Sequence, residues 1–207
     1  MIELYSWGTP NGQKASIALE ELGLPYRLHR VNIGAGEQKR PEFLAVNPNG
    51  KIPAVVDPDG PGAQPVRVFE SGAVLIYLAE KAGRLLPVDA QGRAEALSWL
   101  MFQMAGVGPM LAQLAYFRKT AKEKVPVAEE RYRVEVERLL GVLDETLARR
   151  EWIAGGDYTI SDIANFTWVN AHGFAGVPLD ATPHVGRWLE RVAARPAVQR
   201  GLHAYDQ

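Results

Sequence analysis

The sequence predicts two modules: an α/β module in βαβ–ββα order over residues 1–83, then an all-helical module over residues 90–207. Three observations carry this reading. Short β-rich runs occur only before Gly83, and apolar residues at helical spacing fill most of the chain after Ala90. Between the two lies a linker, residues 83–89, and strand signals stop after Gly83. A length of 207 residues suits one or two domains at about 150 residues each.

Residues 2–7 read as a strand stopped by Gly8. Residues 12–22 follow as a helix, because Ala15, Ala18, Leu19 and Leu22 share one face and Gly23 stands at its C-terminal stop. Residues 26–31 read as a second strand. Strand, helix and strand in this order imply a parallel pair joined by a right-handed crossover. Residues 41–46 suit a helical turn. The β-rich runs 54–57 and 66–68 flank Pro58-Asp59-Gly60-Pro61-Gly62, which predicts a hairpin. Residues 69–81 read as a helix, apolar nearly all round and therefore buried.

In the second module, residues 90–119 read as helical, with a kink or break at Gly106-Val107-Gly108-Pro109. Tyr132, Val136, Leu139, Leu140, Leu143 and Leu147 trace a second helix face. Residues 159–172 form a third helix whose start is legible. Thr159 and Asp162 are the two halves of a capping box, and Tyr158 and Ile163 can close a hydrophobic staple. Residues 183–194 read as a fourth helix.

Composition excludes several kinds of chemistry. The chain has no cysteine, so it has no disulfide, no Cys-ligated zinc, no cysteine nucleophile and no Cys-x-x-Cys redox pair. The four histidines, His29, His172, His184 and His203, show no metal-ligand spacing, and no metal is expected. A net charge of −1 gives no basic footprint for nucleic acid. The longest apolar run, residues 73–79, is too short to cross a bilayer. Met1-Ile2-Glu3-Leu4 lacks the basic-then-apolar order of a secretory signal. A cytoplasmic protein with no membrane partner is the expectation. Glu20-Glu21 and Lys122-Glu123-Lys124 read as solvated charge. Any sulfur chemistry must use sulfur brought by a small molecule.

Three motifs could carry chemistry. Thr9-Pro10-Asn11-Gly12 joins the first strand to the first helix. N–H groups at a helix start favour anions and lower the pKa of a nearby thiol, and a hydroxyl and an amide here could donate to a sulfur anion. Equally, Asn11 could be an ordinary helix cap behind an ordinary turn. Asn49-Gly50-Lys51-Ile52-Pro53-Ala54 sets a proline before a strand; a cis Ile52–Pro53 bond would turn the Ile52 backbone outward to pair with an extended peptide. Glu70-Ser71-Gly72-Ala73 opens the buried helix. There Ser71 and the helix-end N–H groups could hold a carboxylate, and Glu70 an ammonium, which together suit an amino-acid zwitterion; simple capping is the alternative.

In this frame the chain resembles the cytosolic glutathione transferases, and among them the bacterial Nu-class, disulfide-reductase type. The stretches that carry the resemblance are Thr9-Pro10-Asn11-Gly12, Arg40-Pro41-Glu42-Phe43-Leu44, Asn49-Gly50-Lys51-Ile52-Pro53-Ala54, Phe69-Glu70-Ser71-Gly72-Ala73, Tyr77-Leu78-Ala79-Glu80-Lys81, Gly108-Pro109-Met110-Leu111, Glu130-Arg131-Tyr132 and Ile160-Ser161-Asp162-Ile163-Ala164. The resemblance implies a thioredoxin-like N-terminal domain, an all-helical C-terminal domain and a homodimer. It further implies that Glu70 and Ser71 hold the γ-glutamyl end of glutathione. Ile52, set by Pro53, would pair through its backbone with the cysteinyl unit, and Gln38 and Lys51 would lie near the glycine carboxylate. Thr9 and Asn11 would face the sulfur, as the catalytic pair. Arg131 matches an arginine at the ligand cleft, used across the dimer interface.

Tyr5 and Ser6 are further hydroxyl candidates near the sulfur, Tyr5 reading better as a packed strand residue. One departure concerns the acceptor. Relatives tend to carry His before the Phe that follows Gly-Pro-Met-Leu, whereas this chain reads Gln113-Leu114-Ala115-Tyr116-Phe117. Tyr116 and Phe117 are therefore the acceptor-site candidates. Trp168 and His172 stand one turn apart and could border the cleft, His172 reading better as a packed or surface residue. The activity implied is glutathione-dependent disulfide reduction or thiol transfer. Conjugation of glutathione to electrophiles, peroxide reduction and a non-catalytic glutathione-binding regulator are the alternatives.

Overall fold

In the computed structural model, which describes residues 1–206, the chain divides into two compact units. The first begins with β1 (Ile2–Ser6), α1 (Pro10–Leu22) and β2 (Tyr26–Arg30). It continues through the short α2 (Pro41–Leu44), β3 (Ala54–Asp57), β4 (Val66–Phe69) and α3 (Ser71–Ala82). The sheet order is β2-β1-β3-β4, with β1 and β2 parallel and the two other pairings antiparallel. The expected βαβ crossover and the 54–69 hairpin are both present.

Alternation along β1 decides what faces what. Ile2, Leu4 and Ser6 are buried on one side. Tyr5 lies on the other, its ring stacked on His29 with centroids 4.5 Å apart. α1 packs against α3, burying Ala15, Ala18, Leu19 and Leu22 against Val74, Leu75 and Leu78. α1 starts at Pro10, two residues before the predicted start, because Thr9 rather than Asn11 is the cap.

The second unit, Pro87–Ala194, holds α4 (Ala90–Phe102), α5 (Gly108–Ala115), α6 (Pro126–Leu147), α7 (Ile160–Val169) and α8 (Pro183–Ala193). At the kink or break expected at 106–109 the helix carries one widened turn, Gln103–Val107, in which the Gly108 N–H reaches back to the Gln103 carbonyl. A proline offers no N–H, and the widened turn absorbs that loss without ending the helix. A second widened turn spans Tyr116–Thr120. The whole run Ala90–Thr120, 31 residues, is long and apolar enough by length and composition to cross a bilayer. Its Leu100, Val107, Leu111 and Leu114 lie in the unit's core with Val136, Leu139 and Leu140 of α6.

α7 opens with the predicted box: Thr159 caps it and Asp162 answers from the third position. It stops at Val169, three residues early. The chain then turns through Gly173 and Gly176, and His172 Nδ1 sits 2.6 Å from the Val177 carbonyl as a packed residue.

A further helix, α9 (Pro196–His203), lies beyond the last helix that the periodicity predicts. The segment that starts at Arg195 groups with the first unit, not with the helical one to which residues 90–207 were assigned. Its anchors correct another reading. Glu21 is buried, not solvated, and accepts both arms of the Arg195 guanidinium at 2.6 and 2.9 Å. Glu20 takes the Tyr26 hydroxyl and pairs with Arg200 at 2.7 Å.

Candidate functional site

In the first unit the candidate residues lie at two helix starts and on the 49–53 loop. At the start of α1, the Thr9 side-chain oxygen accepts the Gly12 N–H at 3.3 Å, and the Thr9 N–H donates to the Trp7 carbonyl at 2.7 Å. The cap uses the oxygen and leaves the hydroxyl proton to donate elsewhere. The first turn of α1 carries no acidic side chain, so the positive end of the helix dipole is not neutralised locally. Thr9 and Asn11 are half-buried, within reach of a ligand.

At the start of α3, Ser71 is only 3% exposed and Glu70 is exposed. Glu70 has φ +69°, a backbone conformation that a residue with a side chain seldom adopts. Such strain persists where the surroundings enforce it, commonly at ligand sites. Asn49 Nδ2 donates to Glu70 Oε1 at 3.2 Å, tying the 49–53 loop to this helix start. The loop is braced from inside by Asn47, only 1% exposed, which donates to the Lys51 carbonyl at 2.5 Å and accepts the Asn49 N–H at 2.9 Å.

The Ile52–Pro53 bond is cis. Ile52 precedes β3 and pairs with no strand; among the described residues its N–H and C=O have no hydrogen-bond partner. An unpartnered donor and acceptor on one residue just before a strand can pair with an added peptide strand. Pro53 is buried behind it and Lys51 is exposed beside it. The buried Gln38 Oε1 likewise has no partner among the described residues.

Two residues of this region escaped the sequence reading. Asn47 is one. The other is Lys14, fully buried on α1, whose Nζ donates to Ser71 Oγ at 3.3 Å. Burial pushes Lys14 down to about 7, partly opposed by the negative charge of Glu70. A signal existed. Lys14, Ala18 and Leu22 follow one another at four-residue steps, which places a lysine on the apolar face.

Of the other hydroxyls, Ser6 is fully buried and Tyr5 is committed to the His29 stack. The second unit holds the remaining candidates. Tyr116 is 49% exposed and meets Phe117 edge-on at 5.2 Å; Phe117 stacks on Tyr132 at 5.6 Å. Arg131 lies in a groove of about 830 Å³ on α6, beside Met110, Val127 and Val134. Among the described residues it forms no salt bridge, while its neighbour Glu130 is taken by Arg133 at 2.7 Å. The described residues include no cluster of metal-binding side chains.

Comparison with known proteins agrees with this geometry. Residues 9–81 match the glutathione S-transferase N-terminal domain and residues 107–196 the glutathione S-transferase C-terminal domain. The disulfide-bond oxidoreductase YfcG of Escherichia coli is 47% identical over 98% of this chain and 94% of its own. A Pseudomonas fluorescens glutathione transferase family member, solved with two glutathione bound, is 52% identical with a TM-score of 0.92, covering 97% of this chain and 92% of that one. A Pseudomonas putida glutathione transferase, solved with one glutathione disulfide per subunit, is 47% identical with a TM-score of 0.92, covering 97% and 90%. This chain belongs to the glutathione transferase family.

Proposed function

We propose that this chain is a glutathione-dependent disulfide reductase in which the tripeptide, not the protein, supplies the attacking sulfur. One observation carries the reading: a chain without cysteine presents a helix start whose threonine hydroxyl keeps its proton for a ligand. In this reading Ser71 and the α3 N–H groups donate to the γ-glutamyl carboxylate, and Glu70, steadied by Asn49, pairs with the ammonium. The Ile52 backbone, set by Pro53, pairs with the cysteinyl unit. Gln38 and Lys51 take the glycine end, Lys51 as a counter-charge to its carboxylate. The sulfur then lies at Thr9 and Asn11.

A free thiol titrates near 8.5, leaving only a few per cent thiolate at pH 7. Lowering it by one to two units corresponds to roughly 1.4–2.7 kcal/mol, within the reach of a helix terminus and two neutral donors. The thiolate attacks one sulfur of an acceptor disulfide. The acceptor's S–S bond breaks, one acceptor sulfur leaves and takes a proton, and a mixed disulfide with glutathione forms. A second glutathione thiolate attacks that bond, releasing glutathione disulfide and the second acceptor thiol. Two glutathiones are oxidised and one acceptor disulfide is reduced. The relatives solved with two glutathione or with glutathione disulfide support a site of this capacity. Tyr116 and Phe117 would line the acceptor. Arg131 would act at the ligand cleft of a homodimer in the cytoplasm.

Turnover of a small model disulfide, coupled to glutathione reductase, tests the proposal. Steady turnover that falls in a Thr9→Ala, Asn11→Ala double variant supports it. Turnover of an aromatic halide with none of the disulfide replaces reduction by conjugation, and full activity of the double variant removes the assigned sulfur site.

A further inference from the structure

The C-terminal segment lies along α1 in reverse. Arg195 binds Glu21 near the end of α1. Gly201 meets its middle: Ser16 Oγ donates to the Gly201 carbonyl at 2.7 Å, and a Cβ on Gly201 would sit 2.5 Å from Ile17 Cα, so only glycine allows this approach. Tyr205 reaches its beginning. The Tyr205 hydroxyl is 3.0 Å from Ser6 Oγ and 3.0 Å from the Gly12 carbonyl. The tyrosine hydroxyl is the donor to both, its single proton shared between the Ser6 oxygen and the Gly12 carbonyl.

These bonds close on the two ends of one turn. Ser6 ends β1 and Gly12 lies in the first turn of α1, with Thr9 and Asn11 between them. The turn has no slack at Gly12, where a Cβ would stand 1.9 Å from the Trp7 carbonyl and 2.6 Å from Ser6 Oγ. The Tyr205 ring lies against one side of the exposed Gly8, where a Cβ would meet Tyr205 Cβ at 3.3 Å. Without this contact, Gly8 would keep backbone freedom that must be frozen each time a thiolate is bound.

We infer that Tyr205 is a positioning residue for the sulfur site: through Ser6 and Gly12 it holds the 7–12 turn so that Thr9 and Asn11 are already aimed where the thiolate charge develops. The inference rests on the reading that Thr9 and Asn11 face the sulfur. It makes Tyr205 a device for preorganisation, acting from nearly two hundred residues away without touching the tripeptide.

The test is Tyr205→Phe, which keeps the ring and deletes the hydroxyl. The bound thiol is titrated through the ultraviolet absorbance of its thiolate, and kcat and KM for glutathione are measured together with the melting temperature. The expected result is a thiol pKa raised by about half a unit to one unit, with kcat at neutral pH lowered roughly three- to tenfold, one unit being tenfold. KM should change less than about twofold, because the groups assigned to the peptide ends are elsewhere. Ser6→Ala should reproduce the shift, and the double variant should add little to either single change. A wild-type thiol pKa in Tyr205→Phe, with the Thr9→Ala, Asn11→Ala variant strongly shifted, overturns the positioning role and leaves the sulfur site standing. An unshifted pKa in both variants overturns the sulfur assignment itself. A loss of kcat that only tracks a lower melting temperature makes Tyr205 a packing residue and also overturns the inference.

Discussion

Among the described residues, α1 and α7 begin with a threonine whose side chain accepts a backbone N–H of the first turn, and they use it in opposite ways. At α7 everything is spent internally. Thr159 and Asp162 are buried, and Asp162 Oδ2 accepts the Thr159 N–H at 3.0 Å. Its Oδ1 accepts the Ile153 N–H and the Trp188 indole N–H, each at 3.0 Å. At α1 the corresponding third position is Gly12 followed by Gln13, no acid answers the cap, and Thr9 is half-buried. The same residue is a structural lock where an acid completes the box, and an open donor beside a bare helix dipole where none does.

The comparison breaks most visibly at Asp162. Burial raises its pKa against the hydrogen bonds that lower it, and removing it strands several buried donors at once. Asp162→Ala should cost about 3 kcal/mol or more in chemical denaturation, while the folded fraction keeps its catalytic constants. Thr9→Ala should do the reverse: roughly ten- to a hundredfold off kcat for about 1 kcal/mol of stability, read from steady-state kinetics beside a denaturation curve. If Thr9→Ala costs stability alone, the two caps are alike and the contrast is wrong.

Lys14 sharpens the same contrast through pH. Its value of about 7 in the folded chain lies below the ordinary value near 10.4. Between those values the unfolded chain binds more protons, so wild-type stability rises as pH rises through that window, by at most about 1.4 kcal/mol per unit. Below about 7 the cost of burying the charge is fully present. Lys14→Met should therefore be more stable than wild type near neutral pH, with an advantage that shrinks toward pH 10. It should also bind glutathione more weakly by calorimetry, because Ser71 loses its donor. An advantage independent of pH would remove the charge argument. Thr159→Ala should act on stability alone, by about 1–2 kcal/mol, with kcat unchanged.

What was legible in the sequence follows from where each signal is stored. The βαβ crossover, the hairpin and the α7 box rest on residues close together in the chain, and all were readable. The Ile52–Pro53 and Glu70–Ser71 motifs were readable as residues, but their junction through Asn49 was not, since it depends on a loop folding back across twenty-one residues. Glu21 looked solvated because its partner, Arg195, is 174 residues away. α9 has eight residues and a weak local signal, and only α1 gives its face a purpose. Pro109 marked a kink or break, but that it takes the form of a widened turn is something no periodicity encodes.

The reversed strap on α1 also fixes an order of assembly. The first unit joins residues 1–86 to the segment that starts at Arg195, whereas the second is the continuous run Pro87–Ala194. On a ribosome the part begun first is thus finished last. The intervening helices can settle while the opening sheet waits, and the thiolate turn acquires its final shape only once the far end of the chain has emerged.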